Sequence, residues 1–126
     1  MKIDHVALWV KNLEKMKTFY VDWFGGKASE KYNNPDKNFS SYFISFSSGS
    51  RLELMHHPDI VDQPDREMIG LTHFSVSVGS KDLVDQMTHK IAGNGYVIAS
   101  APRKTGDGYY EGVIIEPEGN RIEITI

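Results

Sequence analysis

The sequence predicts an α+β fold: two βαβββ modules from an internal duplication, each a sheet with a helix covering one face. Three observations predict it. The stretch Gly49-Ser50-Arg51-Leu52-Glu53-Leu54 returns as Gly119-Asn120-Arg121-Ile122-Glu123-Ile124. Both copies follow the same order of hydrophobic patterns, an alternating strand, a helical stretch, then three strands. The copies also register by residue: His5 falls on His73, 68 positions on, and Glu53 on Glu123, 70 positions on. The reading is a single domain over residues 1–126, with module 1 at about 1–57, a linker at about 58–70 and module 2 at about 71–126.

Ile3 to Val10 alternates as a strand with one dry face, Val6, Leu8 and Val10, opposite Ile3, His5, Ala7 and Trp9. Asn12 caps a helix from Leu13 to Phe24 whose Met16, Phe19, Tyr20 and Trp23 form a core stripe, and Gly25-Gly26 ends it. Lys27 to Tyr32 reads as an edge strand, Asn33-Asn34-Pro35-Asp36 as a turn, and Ser41 to Ser47 as a strand. Ser48-Gly49-Ser50 turns into the strand that carries Glu53. His57 to Gly70, with two prolines and several acidic residues, reads as a linker or surface flap.

The second copy restarts at Leu71 to Val78, with Phe74, Val76 and Val78 opposite Leu71, His73, Ser75 and Ser77. Ser80 caps a second helix, with Leu83, Met87 and Ile91 on its apolar face and an end near Gly93. Tyr96 to Ser100 is a strand, Pro102 to Gly108 a loop, Tyr109 to Ile115 a strand, and Pro117-Glu118-Gly119 turns into the last strand.

A net charge of −3 without a basic stripe excludes nucleic-acid binding. The absence of cysteine excludes disulfides and thiolate chemistry. No apolar run approaches a membrane span, and the charged start Met1-Lys2-Ile3-Asp4-His5 is unlike a signal peptide, so the expectation is a cytoplasmic protein without membrane contact. Nucleophile elbow, phosphate loop, HExxH and dinucleotide fingerprints are absent.

A carboxylate in the middle of an apolar strand is costly without a partner. Glu53 and Glu123 incur that cost at matching places, and His5 and His73 lie on the corresponding open faces. Each alone reads as an ordinary surface histidine or salt-bridged glutamate. Together, two imidazoles and two carboxylates form a donor set for one divalent transition metal: Ni, Co, Mn, Fe or Zn. Such a set leaves open positions for substrate. Arg51 and Arg121 are placed to orient the glutamates or to bridge at the surface.

Asp4-His5-Val6-Ala7-Leu8-Trp9-Val10, Leu71-Thr72-His73-Phe74-Ser75-Val76 and Glu116-Pro117-Glu118-Gly119-Asn120-Arg121-Ile122-Glu123-Ile124 resemble the vicinal oxygen chelate superfamily, which includes glyoxalase I, extradiol dioxygenases, fosfomycin-resistance and bleomycin-binding proteins. The resemblance implies that the curled sheets of the two modules form a cup with the helices on the outer face, with metal ligands at His5, Glu53, His73 and Glu123, most like glyoxalase I, and homodimerisation. It implies a metal-dependent lyase or isomerase acting on a small substrate with vicinal oxygens, moving a proton through a metal-stabilised enediolate. Either Glu53 or Glu123 is the catalytic base. The alternatives are a bleomycin-type binding protein without turnover, a fosfomycin-type thiol transferase and a dioxygenase. Bacterial glyoxalases of this type carry an arginine where this chain has Trp9, so Trp9 is expected to form an aromatic wall of the substrate site. The segment from Pro102 to Tyr110 is the second place for substrate contacts, through Arg103 and Tyr110.

Overall fold

The computed structural model describes residues 1–63 and 69–126. The part of the expected linker at 64–68 lies outside the described residues. The chain divides into two units, Met1–Asp62 and Gln63–Ile126, each a sheet with one helix packed on one face.

In the first unit, β1 (His5–Trp9) leads into α1 (Leu13–Phe24), then β2 (Lys27–Ala28), β3 (Tyr32–Asn34), a single 3₁₀ turn at Pro35–Lys37, β4 (Phe39–Ser45) and β5 (Arg51–His56). The expected edge strand at 27–32 is two short strands instead, both paired with β4. Between them Ser29 Oγ accepts the Phe43 N–H, so a side chain takes over one rung of the ladder. The sheet runs β1-β5-β4-β2, and β1 pairs parallel with β5. That pairing sets Ala7 beside Glu53 and Trp9 beside Met55.

Helix α1 begins where the Asn12 side chain accepts the Lys15 N–H at 2.9 Å. It ends at Gly25, whose φ of 64° is the left-handed cap that glycine adopts without strain. Leu13, Met16, Phe19 and Tyr20 are buried beneath it against Leu8, Ile44, Leu52 and Leu54 of the sheet. The opposite sheet face carries His5, Ala7, Trp9 and Glu53.

The second unit repeats the plan with β6 (Phe74–Ser77), α2 (Lys81–Gly93), β7 (Val97–Lys104), β8 (Tyr110–Ile115) and β9 (Arg121–Thr125), in the order β6-β9-β8-β7. Here β6 and β9 are parallel, and Ser75 stands beside Glu123. The buried stripe of α2 is Val84, Thr88 and Ile91. Of the residues expected there, only Ile91 is buried, and Leu83 is 43% exposed. Spacing by fours drifts around a helix of 3.6 residues per turn, and Val84-Thr88-Ile91 follows the helix better. The small Thr88 suits this place because the helix meets the sheet at Gly112, where an added Cβ would lie 3.0 Å from the Thr88 hydroxyl.

The expected loop from Pro102 is also strand as far as Lys104. Strand β7 continues through two irregularities in its pairing, so Arg103 sits opposite Glu111 on β8. Among the described residues no helix is long and apolar enough to cross a membrane.

Candidate metal-binding pairs

In each unit, parallel pairing of the first and last strands brings one imidazole to one carboxylate. His5 Nε2 lies 3.8 Å from Glu53 Oε2, and His73 Nε2 lies 3.4 Å from Glu123 Oε2. The carboxylates are recessed, each 16% exposed, while the imidazoles are 39% and 44% exposed. Among the described residues, no three His, Asp or Glu side chains are gathered into a metal-binding cluster. The donors stand as two pairs.

The pairs fit a metal by donor type and by spacing. Two ligands on one divalent ion, each about 2.1 Å from it, sit about 3 Å apart when adjacent. Both pairs are within an ångström of that bite. Asp4 Oδ2 meets His5 Nδ1 at 3.0 Å, an arrangement that turns the other ring nitrogen toward Glu53. Arg51 Nη2 donates to the same Asp4 oxygen at 2.5 Å, and its guanidinium lies 4.3 Å from the Phe43 ring centroid. The Asp4 carboxyl is held below its ordinary range, first by the hydrogen bond from Arg51 and then by that with His5. Arg51 therefore anchors Asp4, which in turn holds the histidine.

The two pairs differ in their surroundings. Beside Glu53 stands Ala7, which has no polar side-chain atom. Beside Glu123 stands Ser75, whose hydroxyl donates to Glu123 Oε1 at 2.7 Å. Glu111 lies on the same face, two residues along β8 from Val113, which stands opposite Glu123. Burial pushes the Glu111 carboxyl above its ordinary range, and its hydrogen bond with Glu123 raises it further. Arg103 opposes that rise from 3.8 Å away, while its Nη1 donates to Ser100 Oγ at 2.6 Å.

Trp9 stands on the His5 face, 47% exposed, with its ring edge-to-face against Phe39 at 6.1 Å. Arg103 shares the Glu123 face through its pairing with Glu111. Tyr110 does not. It lies on the α2 side of β8, donating from its hydroxyl to Asp85 Oδ1 at 2.7 Å, with Lys81 Nζ 4.8 Å from its ring centroid. Neighbours along a strand point to opposite faces, so Glu111 takes the position facing Glu123.

Asp4, Ser75 and Glu111 went unread from the sequence. Alternation along β8 carried the signal for Glu111, because Glu111, Val113 and Ile115 share a face. The register of β6 carried it for Ser75. Asp4 has no such pattern, since its role depends on a side chain 47 residues away.

Compared with known proteins, the chain matches the family model described as the Glyoxalase/Bleomycin resistance protein/Dioxygenase superfamily over residues 2–124. It is 27% identical to the Bacillus subtilis protein YqjT, over 97% of this chain and 96% of that one. Among solved structures, it resembles a glyoxalase/bleomycin resistance protein/dioxygenase domain from Frankia sp. with a TM-score of 0.86 and 19% identity, covering 99% of this chain and 90% of that one. It also resembles glyoxalase I from Zea mays with a TM-score of 0.80 and 23% identity, covering 98% of this chain but spanning only 44% of the maize chain.

Proposed function

The chain belongs to the glyoxalase/bleomycin resistance protein/dioxygenase superfamily, and from that membership we propose that it is a metal-dependent lyase or isomerase of the glyoxalase I type, acting on a small molecule with two adjacent oxygens. The observation that carries the reading is the pair of His–Glu contacts at matching places in the two units. His5, Glu53, His73 and Glu123 are the residues that would hold a divalent transition metal, and the ion would supply Lewis acidity toward the two substrate oxygens. The maize protein's name, glyoxalase I, points to the same chemistry.

The chain's own residues divide the remaining work. Glu53 meets His5 and no neighbouring hydroxyl on its strand partner, which suits a firm ligand. Glu123 has the Ser75 hydroxyl on one oxygen and Glu111 on the same sheet face, two groups through which a proton can be passed on. We assign it the removal of the proton from the carbon next to the substrate carbonyl and its return to the neighbouring carbon. Trp9 and Arg103 flank the respective pairs on the same faces as the histidines and glutamates. A second copy of the chain is the expected protein partner.

Metal content by elemental analysis tests this reading. Protein loaded with Ni²⁺, Co²⁺, Mn²⁺ or Zn²⁺ is expected to retain about one ion per set of four donors. His5→Ala and His73→Ala are each expected to lose it. Retention of two ions, one lost in each variant, shows that the pairs act separately. Wild-type protein that holds no metal overturns the lyase. A second reading, sequestration of an aromatic compound without turnover, is favoured by the exposure of Trp9. It predicts tight ligand binding with no product formed.

A further inference from the structure

We propose that the open sheet face of the first unit carries an aromatic subsite, formed by Trp9, Phe39 and Tyr32, that receives an aryl group attached to the oxygen-bearing carbons of the substrate. The inference rests on the metal-dependent reading above and narrows its substrate class.

Strand register places these residues. Trp9 pairs with Met55, Met55 with Ser41, and Ser41 with Tyr32, so Trp9 and Tyr32 stand in one row across three strand pairings. Side chains opposite one another share a face, and this is the face of Glu53 and His5. Phe39 is on that face as well, paired with Asn34. Its ring is approached by Trp9 at 6.1 Å and 88°, and by Tyr32 at 6.0 Å and 58°. These are edge and tilted contacts, which leave ring faces free to pack against a further planar group.

Two of the three rings are open to solvent, Trp9 at 47% and Tyr32 at 55%. Tyr32 is nonetheless held, because its hydroxyl accepts from Asn34 Nδ2 at 3.3 Å. Exposed, anchored aromatic rings lose little freedom on binding.

Position gives the ligand class. The row containing Trp9 lies two residues beyond the row containing Ala7 and Glu53, about 7 Å along the strand. Between Trp9 and His5 on β1 stands only the methyl group of Ala7. A ligand with its oxygens at His5 and Glu53 can therefore lay a ring over Ala7 toward Trp9, whereas a methyl substituent falls short. The guanidinium on this face, Arg51, is already committed to Asp4 and to the Phe43 ring. The subsite thus suits a neutral ring better than an anionic arm.

Titration calorimetry on the metal-loaded full chain tests this with three probes. Mandelate and lactate carry the same adjacent oxygens and differ in a phenyl against a methyl group, and benzyl alcohol carries the ring without the oxygen pair. Mandelate is expected to bind at least about tenfold tighter than lactate. In Trp9→Ala and Tyr32→Ala that ratio is expected to fall below about threefold. Equal affinities in the wild type, or a preference that survives in both variants, overturns the subsite while leaving the metal reading intact. If neither acid binds but benzyl alcohol still does, in a way that Trp9→Ala abolishes, the subsite stands and the metal reading falls.

Discussion

Glu14 shows how much can depend on one exposed side chain. Its carboxylate accepts from Lys17 at 2.6 Å, from Lys31 at 3.1 Å and from the Tyr42 hydroxyl at 3.0 Å. These partners, Lys17 first, pull its pKa down to about 2. A carboxylate whose pKa is depressed by folding adds stability above its ordinary value, and that stability is lost as pH falls toward the folded value. Glu14 is 53% exposed, so solvent screening limits the gain to roughly 0.5–1 kcal/mol. In urea titrations, the difference between wild type and Glu14→Gln is expected to be fullest above about pH 5 and to vanish near pH 2. A difference that does not change with pH contradicts the assignment. Gly26 is the sharper steric case. A Cβ there would lie 2.4 Å from Ile44 Cγ2, a stiff and fully buried methyl. Gly26→Ala is therefore expected to destabilise by about 1–3 kcal/mol in the same assay. The sequence showed this glycine as a helix stop, while its role as a contact depends on a strand 18 residues away. His5, Glu53, His73 and Glu123 were legible because they repeat. Asp4 and Glu111 were not, because each works through a neighbour from another strand.

At the scale of elements, local chemistry was the most readable. Both helix starts were visible as Asn12 and Ser80, and α1 and α2 begin one residue after them. The Ser80 hydroxyl accepts the Leu83 N–H at 3.2 Å. Ser80→Ala is expected to lower stability by about 1 kcal/mol and Ser80→Asp to preserve it, as read from denaturation midpoints. The β8–β9 turn is held differently. Glu116, 2% exposed, accepts the backbone N–H groups of Glu118 at 2.7 Å and Asn120 at 2.8 Å, together with the Asn120 side-chain amide. Burial raises the Glu116 pKa, and these hydrogen bonds pull against that rise. Glu116→Ala strips the turn of its acceptor and is expected to destabilise by about 2–3 kcal/mol. A loss under about 0.5 kcal/mol would mean that water replaces the carboxylate. Elements shaped by pairing were harder to read. The break between β2 and β3 and the extension of β7 to Lys104 follow from their partners, β4 and β8, more than from local composition.

At the scale of the molecule, the duplication made the α+β plan readable before any contact was known. It also shows why the two offsets differ. Ala7 aligns with Ser75 at the histidine offset, and each stands beside its module's glutamate, so the second unit is two residues longer between its first and last strands. What repetition could not show is how the copies diverge, since Ala7 and Ser75 differ by one hydroxyl, which donates to Glu123. The pairing of first strand with last has a further consequence, in the order in which the chain is made. A ribosome that has released residues 1–50 has delivered β1, α1 and β4, but not the strand that lies between β1 and β4. His5 then lacks Glu53, and the edges of β1 and β4 stand open. Each unit thus closes only when its final strand emerges, by joining ends some 45 residues apart. Such late closure favours refolding over milliseconds to seconds, and stopped-flow refolding of the whole chain is expected to fall in that range. During synthesis, the open edges of β1 and β4 are where a nascent chain is most prone to pair with a neighbour.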